Sequence, residues 1–224
     1  MHQPLAKRVV AEALGTFFLL AAVVGSGIMA ERLANGNAAL ALLANTAATG
    51  AALIALIISF APISGAHFNP VVTLSFALRH GLPWREAPPY LVAQLAGGVG
   101  GVIAANLMFG LPAVFLSSHP RNGMAQLLSE FIATLGLVSV ILAASRSTVA
   151  VVAVAVGTYI SAAYWFTAST SFANPAVTLA RSLSDTFAGI RPADVPGFVL
   201  AQLAGGIAAT VLFRWLIPTR KLEA

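Results

Sequence analysis

The sequence predicts an all-α membrane protein with six transmembrane helices and two re-entrant half-helices, arranged as an inverted repeat. Three observations lead to this prediction. Of the 224 residues, 58% are hydrophobic and only 8% are charged, whereas a soluble domain has about 25% charged residues. The apolar residues, with a mean hydropathy of +0.88 for the chain, form long segments separated by short polar ones. Motifs of the first half also return in the second half in the same order.

The long apolar segments have the length of membrane-spanning helices. A helix needs about 20 residues to cross a ~30 Å hydrocarbon core, whereas the strands of a membrane barrel alternate over roughly 10 residues. The predicted spans are 9–30, 38–61, 88–109, 124–144, 149–167 and 195–217. Two shorter stretches, 70–79 and 175–184, would each cover about half of the core. We therefore expect them to be half-helices.

The repeated motifs divide the chain into two related halves. The pairs are AEALGTFFL at 11–19 with the looser match SEFIATLGL at 129–137, NPVVTL at 69–74 with NPAVTL at 174–179, and AQLAGG at 93–98 with AQLAGG at 201–206. Each half contains three spans, so the second half enters the membrane from the opposite side, which makes the repeat inverted. We expect one transmembrane domain over 1–224, with repeats at about 1–112 and 120–224.

The basic residues predict which side of the membrane holds the termini. Six spans place both termini on one side, and cytoplasmic loops carry the excess of Lys and Arg. The basic residues expected on the side of the termini are Lys7, Arg8, Arg79, Arg85, Arg146, Arg220 and Lys221; those expected on the other side are Arg32, Arg121, Arg181 and Arg191. This distribution predicts a multi-pass protein of the cell inner (plasma) membrane with both termini cytoplasmic.

Each half-helix follows an Asn-Pro pair. Asn is a preferred N-cap and Pro is tolerated in the first helical turn, so Asn69-Pro70 and Asn174-Pro175 predict two helix starts. The preceding segments are short and polar, and non-helical backbone at membrane depth survives only when it is buried in protein or lines a wet cavity. Two half-helices entering from opposite faces would meet near the midplane. Their positive N-terminal ends would then oppose the passage of cations and protons. The alternative is that each pair only caps a buried loop.

Three ionisable residues lie at membrane depth near these motifs. Glu12 and Glu130 occupy matching places in the first span of each half, and each could accept hydrogen bonds from backbone N–H groups of its re-entrant loop. A proton-relay role for these acids would instead indicate a coupled transporter. His67 precedes the first motif by two residues; packing within the loop and gating of a pore are both open.

Several classes of function are excluded or lack support. The chain has no cysteine, which excludes disulfides and thiolate metal sites. Its net charge of +5 is scattered over segment ends, which does not indicate nucleic-acid binding. No pattern for phosphate binding, metal binding or a nucleophile–base pair is present, so we expect neither an enzyme nor a cofactor.

The motifs resemble those of the aquaporin, or major intrinsic protein, family. SGAHFNPVVTL at 64–74 is similar to the first signature loop of that family, and SFANPAVTL at 171–179 to the second. AQLAGG in the third and sixth spans and the two glutamates match as well. The resemblance covers nearly the whole chain. It implies a six-helix bundle with one pore per subunit, a homotetramer in the lipid bilayer, and passive conduction of water or small neutral solutes.

This chain departs from the family pattern at two places. The first motif reads Asn69-Pro70-Val71 in place of Asn-Pro-Ala, which predicts a modest enlargement near the pore centre. The second motif, Asn174-Pro175-Ala176, is followed by Val177, where family members usually have an arginine that narrows the outer filter. Gapless counting back from the motifs assigns the remaining filter positions to Thr49, Ala162 and Ser171.

Residues near the filter leave two alternatives open. Arg181 lies four residues after Val177 on nearly the same helix face, so it could reach back into the filter; otherwise it extends outward or pairs with Asp185. If the gapless count slips by one or two places, Tyr164, Trp165 or Phe166 would narrow the pore in place of Ala162; these residues could equally face lipid or a neighbouring subunit.

The resulting functional prediction is a passive channel for water and small neutral solutes. With Thr49, Ala162, Ser171 and Val177 at the filter, the opening would be wide, uncharged and suited to glycerol, arsenous acid or similar hydroxy compounds. The alternatives are a water-selective aquaporin and a coupled secondary transporter, since inverted repeats and broken helices occur in transporters too.

Overall fold

The computed structural model describes residues 3–217 and has eight α-helices within that range. The helices are α1 (Leu5–Leu33), α2 (Ala38–Ser64), α3 (Pro70–Leu78), α4 (Ala87–Met108), α5 (Met124–Ala144), α6 (Val149–Phe166), α7 (Pro175–Arg181) and α8 (Val195–Leu216). All except α3 and α7 are long and apolar enough to cross a membrane. The predicted all-α fold with six spans is confirmed; Arg220 and Lys221 lie outside the described residues.

The chain order gives the bundle two faces. The terminal face holds the start of α1, the end of α8 and the connections 79–86 and 145–148. The opposite face holds 34–37, 109–123 and 182–194. Contacts at the two ends of α1 agree with this arrangement. Arg8 pairs with Glu86 at 2.8 Å on the terminal face, and Arg32 donates to the carbonyl of Phe109 at 3.0 Å on the opposite face.

Glycines of the repeated AQLAGG motif let paired helices pack closely. A Cβ atom added to Gly97 of α4 would collide with the carbonyl oxygen of Ala13 in α1. A Cβ atom added to Gly205 of α8 would collide in the same way with the carbonyl oxygen of Phe131 in α5. Small residues at such contacts allow two backbones to approach in a membrane, where packing rather than hydrophobicity drives helix association. The repeated motif therefore has the same packing role in both halves.

Replacing Gly97 with alanine (G97A) should destabilise the protein, whereas G100A should not. Overpacking costs about 1–3 kcal/mol, and the rigid Ala13 carbonyl cannot move aside for the new methyl group. At Gly100 the nearest atom is a side-chain carbon of Phe17 at 3.2 Å, which can adjust. Apparent thermal midpoints in detergent provide the measurement, with G97A below both wild type and G100A. Equal midpoints for the two variants would contradict the close-packing argument.

The second half-helix is shorter than the sequence predicts. The chain leaves the helix after Arg181, not at 184. The reason is a contact with the loop 109–123, whose backbone takes up the free carbonyls beyond the helix end. Phe115 N–H donates to Leu183 O at 3.2 Å, and Ser117 N–H donates to Ser182 O at 2.9 Å. This pairing holds the loop over the end of α7, next to the candidate site.

Candidate functional site: the central cavity

The two Asn-Pro pairs begin the half-helices as N-caps. Asn69 accepts from the backbone N–H of Val71 at 2.9 Å, and Asn174 accepts from that of Ala176 at 2.9 Å. Pro70 and Pro175 are the first helical residues, where the missing N–H costs no helical hydrogen bond.

The same asparagines join the two half-helices. The Asn69 side-chain amide donates to Ala173 O at 2.8 Å, and the Asn174 amide donates to Phe68 O at 2.8 Å. Each amide nitrogen carries two hydrogens, so this reciprocal pair uses one and leaves the second. Both asparagines line a central cavity. A donor from each half is thus available where the half-helices meet.

Both buried glutamates accept hydrogen bonds from the re-entrant loops. Glu12 accepts from the backbone N–H groups of His67 at 2.9 Å and Phe68 at 2.7 Å. Glu130 accepts from those of Phe172 at 2.9 Å and Ala173 at 2.8 Å. Because N–H and C=O of a planar trans peptide point in opposite directions, the carbonyls that precede these N–H groups point away from the glutamates. Hydrogen-bond acceptors therefore lie along the loops on the side of the cavity.

Glutamine side chains from α4 and α8 donate further hydrogen bonds to the two glutamates. The Gln94 amide donates to Glu12 at 2.8 Å, and the Gln202 amide donates to Glu130 at 2.6 Å. The two glutamates and the two glutamines are fully buried. Each carboxylate is thus occupied by neutral donors of its own half, which fixes the loop in place.

One cavity of about 310 Å³ runs along the bundle between the half-helices. Ser145 and Ser147 line it at the terminal face, and Val177 and Arg181 line it in the half nearer the opposite face. Its wall is mixed: valines, leucines and isoleucines of α1, α2, α5 and α6 face the asparagine amides and the loop backbone. A solute with both hydroxyl groups and a carbon face matches such a wall better than an ion does.

A group of four side chains lines the cavity beyond the motif asparagines. We call Thr49, Tyr164, Ser171 and Val177 the filter group; all four are buried and line the cavity. The Tyr164 hydroxyl donates to Thr49 Oγ1 at 3.3 Å. The buried Ser171 hydroxyl has no hydrogen-bond partner among the described residues, so it is available to a solute.

Comparison with known proteins agrees with this geometry. The sequence profile of the major intrinsic protein family matches residues 1–151. Aquaglyceroporin AqpS of Rhizobium meliloti is 56% identical over 219 residues, which cover 97% of this chain and 94% of the relative. The chain belongs to the major intrinsic protein family. Aquaporin NIP1-4 of rice (Oryza sativa subsp. japonica) is 34% identical over 203 residues, covering 88% of this chain and 72% of that protein.

The fold also matches a solved structure of the major intrinsic protein family. The X-ray structure of the aquaglyceroporin from Plasmodium falciparum superimposes with a TM-score of 0.78 at 18% identity, and the match covers 96% of this chain and 98% of that one. Proteins of this family are channels for water and small solutes and not enzymes. The predicted channel function is therefore confirmed at this level.

Arg181 reaches the cavity of this family member instead of extending outward. Its side chain is 2% exposed and lines the cavity, with the guanidinium carbon 3.4 Å from the centre of the Phe172 ring. The proposed partner Asp185 is engaged elsewhere, because it accepts from the Ser118 backbone N–H at 2.8 Å. That bond holds the pKa of Asp185 below its usual range. The alternative of an Arg181–Asp185 pair is wrong.

Ala162 does not line the cavity and so does not belong to the filter group. The residue is exposed on the outer surface of α6, whereas Tyr164, two positions later, is 3% exposed and lines the cavity. Successive helical positions two residues apart point about 200° from each other. An error of two residues in the gapless count therefore replaces a residue that faces the cavity with one on the opposite side of α6. Trp165 and Phe166 are also on the surface, at 50% and 55% exposure.

Val71 does not enlarge the pore centre. Its side chain packs with Val138, Leu142 and Ala209 of α5 and α8. A Cβ atom added to Gly206 would collide with a Val71 methyl group, so the valine occupies space that this glycine leaves free. The departure from Asn-Pro-Ala is therefore accommodated between helices, away from the cavity.

His67 lines the cavity on the terminal side of the motif asparagines. Its Nδ1 lies 3.1 Å from the Thr73 hydroxyl. The centre of its ring lies 4.8 Å from that of the Phe76 ring, and the two ring planes are tilted by 31°. The histidine is thus held by its own half of the repeat while one side of it faces the cavity.

Proposed function

We propose that this chain is a wide, passive channel for small neutral hydroxy compounds, with glycerol and arsenous acid among its solutes, as well as water. The observation that carries the proposal is the filter group. Val177 stands where the family usually has arginine, and it lines the same cavity as the side chains of Thr49 and Ser171. Such a filter is amphipathic and lacks an arginine directly after the second motif. The Rhizobium meliloti relative described above is named an aquaglyceroporin, which supports glycerol.

The buried glutamates argue against the coupled-transporter alternative. Ion or proton coupling requires an acid that can exchange its partner during transport. Glu12 and Glu130 instead accept from two backbone N–H groups and a glutamine amide each. Releasing these bonds would leave buried donors unpaired, which is costly. We therefore assign both acids a supporting role in the loops, together with His67.

We also propose that the chain is a single-domain homotetramer of the plasma membrane, with both termini cytoplasmic. Large apolar side chains such as Phe18, Trp165 and Trp215 are half or more exposed on the single chain. These surfaces suit lipid or neighbouring copies. Crosslinking in intact membranes tests the tetramer, and protease accessibility of a C-terminal tag tests the orientation.

Flux measurements in proteoliposomes test the proposed solutes. We expect stopped-flow light scattering to detect both water and glycerol permeation, and uptake assays to detect arsenous acid. Both solute fluxes should rise linearly with concentration and be insensitive to collapse of a proton gradient. Water permeation without glycerol or arsenous acid flux would support a water-selective channel instead. Saturation or gradient dependence would support a transporter.

A further inference from the structure

We propose that Arg121, in the loop before α5, is a positioning residue that acts through Phe172 to hold the Arg181 guanidinium at the filter. The inference rests on the proposed function, since it explains how this channel has a filter arginine without one directly after the second motif. Arg121 and Arg181 lie 60 residues apart (181 − 121) and share one aromatic ring.

The Arg181 guanidinium is held by one backbone carbonyl and one aromatic ring. Its Nε–H donates to Ala188 O, and its carbon lies 3.4 Å from the Phe172 ring centre. Within residues 3–217 the two terminal amino groups of Arg181 donate to no protein acceptor. Neither of them is among the fully buried polar atoms that lack a hydrogen-bond partner, so both retain some exposed surface. These amino groups are therefore open toward the cavity that Arg181 lines. They can donate to the oxygens of a passing solute.

Arg121 fastens the ring against which Arg181 lies. Its guanidinium carbon is 4.9 Å from the Phe172 ring centre. Its Nε–H donates to Gly189 O at 2.7 Å, and its Nη1 donates to Ser169 O at 3.1 Å. The backbone N–H of Arg121 donates to Asp194 at 2.8 Å. One side chain thus connects the loop before α5, the second re-entrant loop and the segment that follows α7.

The first half of the repeat contains the same stack without a cation. Two residues before each motif asparagine stand His67 and Phe172; seven residues after it stand Phe76 and Arg181. His67 stacks on Phe76 at 4.8 Å, just as Phe172 carries Arg181. The fold therefore provides a place beside this loop position for the side chain seven residues after each motif asparagine. In the second half that place holds a guanidinium.

Charge explains why the ring and the carbonyls are needed. The guanidinium groups of Arg121 and Arg181 lie close to one ring and repel each other. Neither has a carboxylate within 4.0 Å among the described residues. The ion pairs in that part of the chain are Arg8–Glu86, His119–Asp185 and Arg191–Asp194. Cation–π contact is strongest where water is excluded. Phe172 is 4% exposed and packs edge-on to Phe198 at 5.3 Å, so its position is well fixed. Loss of the ring or of Arg121 should release Arg181.

The ratio of glycerol to water permeability tests this arrangement. We expect R181A to raise this permeability ratio, because the filter becomes wider. The rise should be at least about twofold, which corresponds to the smallest coupling free energy expected between residues in contact. F172L and R121Q should shift the ratio in the same direction. Added to R181A, neither should shift it further, since both act through Arg181. F172Y keeps the ring and should keep the wild-type ratio.

Several outcomes would overturn the inference. F172L and R121Q could leave the ratio unchanged, or could shift it as much in the R181A background as in wild type. An unchanged ratio in R181A would also remove Arg181 from the filter. Crystal structures of F172L and R121Q test the arrangement independently of flux. The Arg181 guanidinium should leave its place beside residue 172 in both variants, and an unmoved Arg181 guanidinium in R121Q refutes the inference. If wild type passes no glycerol, the proposed solute fails while the structure of R121Q still decides the role of Arg121. If R121Q does not fold, R121K takes its place, because an ammonium group lacks the planar guanidinium that bonds both carbonyls and stacks on the ring.

Discussion

Replacing Glu130 with alanine (E130A) is expected to leave almost no folded channel. The carboxylate accepts from the backbone N–H groups of Phe172 and Ala173 and from the amide of Gln202, at 2.9, 2.8 and 2.6 Å. Alanine leaves the two backbone N–H groups buried without a partner and removes one of the two acceptors of the Gln202 amide, which still donates to Thr178 at 2.7 Å. Each lost bond costs about 1–3 kcal/mol. The sum is comparable to the whole stability of many proteins, about 5–15 kcal/mol.

Yield and thermal midpoint of the solubilised protein measure this effect. E31A is a suitable control, because Glu31 is exposed and its one hydrogen bond within residues 3–217 is a 3.3 Å bond from Phe187 N–H. We expect E31A to behave like wild type. E130Q should also be destabilised, since an amide offers one acceptor oxygen where the carboxylate has two. A well-folded E130Q that had lost only proton-dependent flux would favour a relay role and contradict our account.

The local signals in the sequence predicted most of the fold. Span length follows from hydropathy, and each half-helix start follows from an Asn-Pro pair whose capping geometry is local. The repeat added information that no single motif contains: it related Glu12 to Glu130 and made the topology inverted. The end of α7 was predicted three residues too late because it depends on Ser182 and Leu183 pairing with Ser117 and Phe115, which lie 65 and 68 residues earlier (182 − 117 = 65; 183 − 115 = 68).

The filter group was harder to predict because its four residues come from distant segments of the chain. Counting back from the second motif to α6 crosses an irregular loop, 167–174, whose path does not follow a helical period; the error of two residues exchanged Tyr164 for Ala162. Arg121 had no local signal at all, since its burial depends on the carbonyls of Gly189 and Ser169. Phe172 could have been found by aligning the repeats, which places it opposite His67.

The second large effect is expected at the position of the missing family arginine. Replacing Val177 with arginine (V177R) should lower glycerol permeability by roughly tenfold, equivalent to about 1.4 kcal/mol, with a much smaller fall for water. Val177 lines the cavity together with Thr49 and Tyr164, so a longer side chain there reduces the width available to a three-carbon solute. The new guanidinium would also lie one helical turn from Arg181, and the two like charges would compete for the same space.

Matched variants separate width from charge at this position. V177L adds apolar volume without charge and should lower glycerol flux less than V177R does. The double variant V177R/R181A moves the single filter arginine to the place usual in the family. The double variant has the same net charge as wild type, so charge cannot explain a difference between them. We expect its glycerol permeability to stay below that of wild type, because the side chain at residue 177 sets the width of the opening. Stopped-flow traces for glycerol and water decide: wild-type glycerol permeability in both V177R and the double variant would mean that residue 177 does not limit solute size.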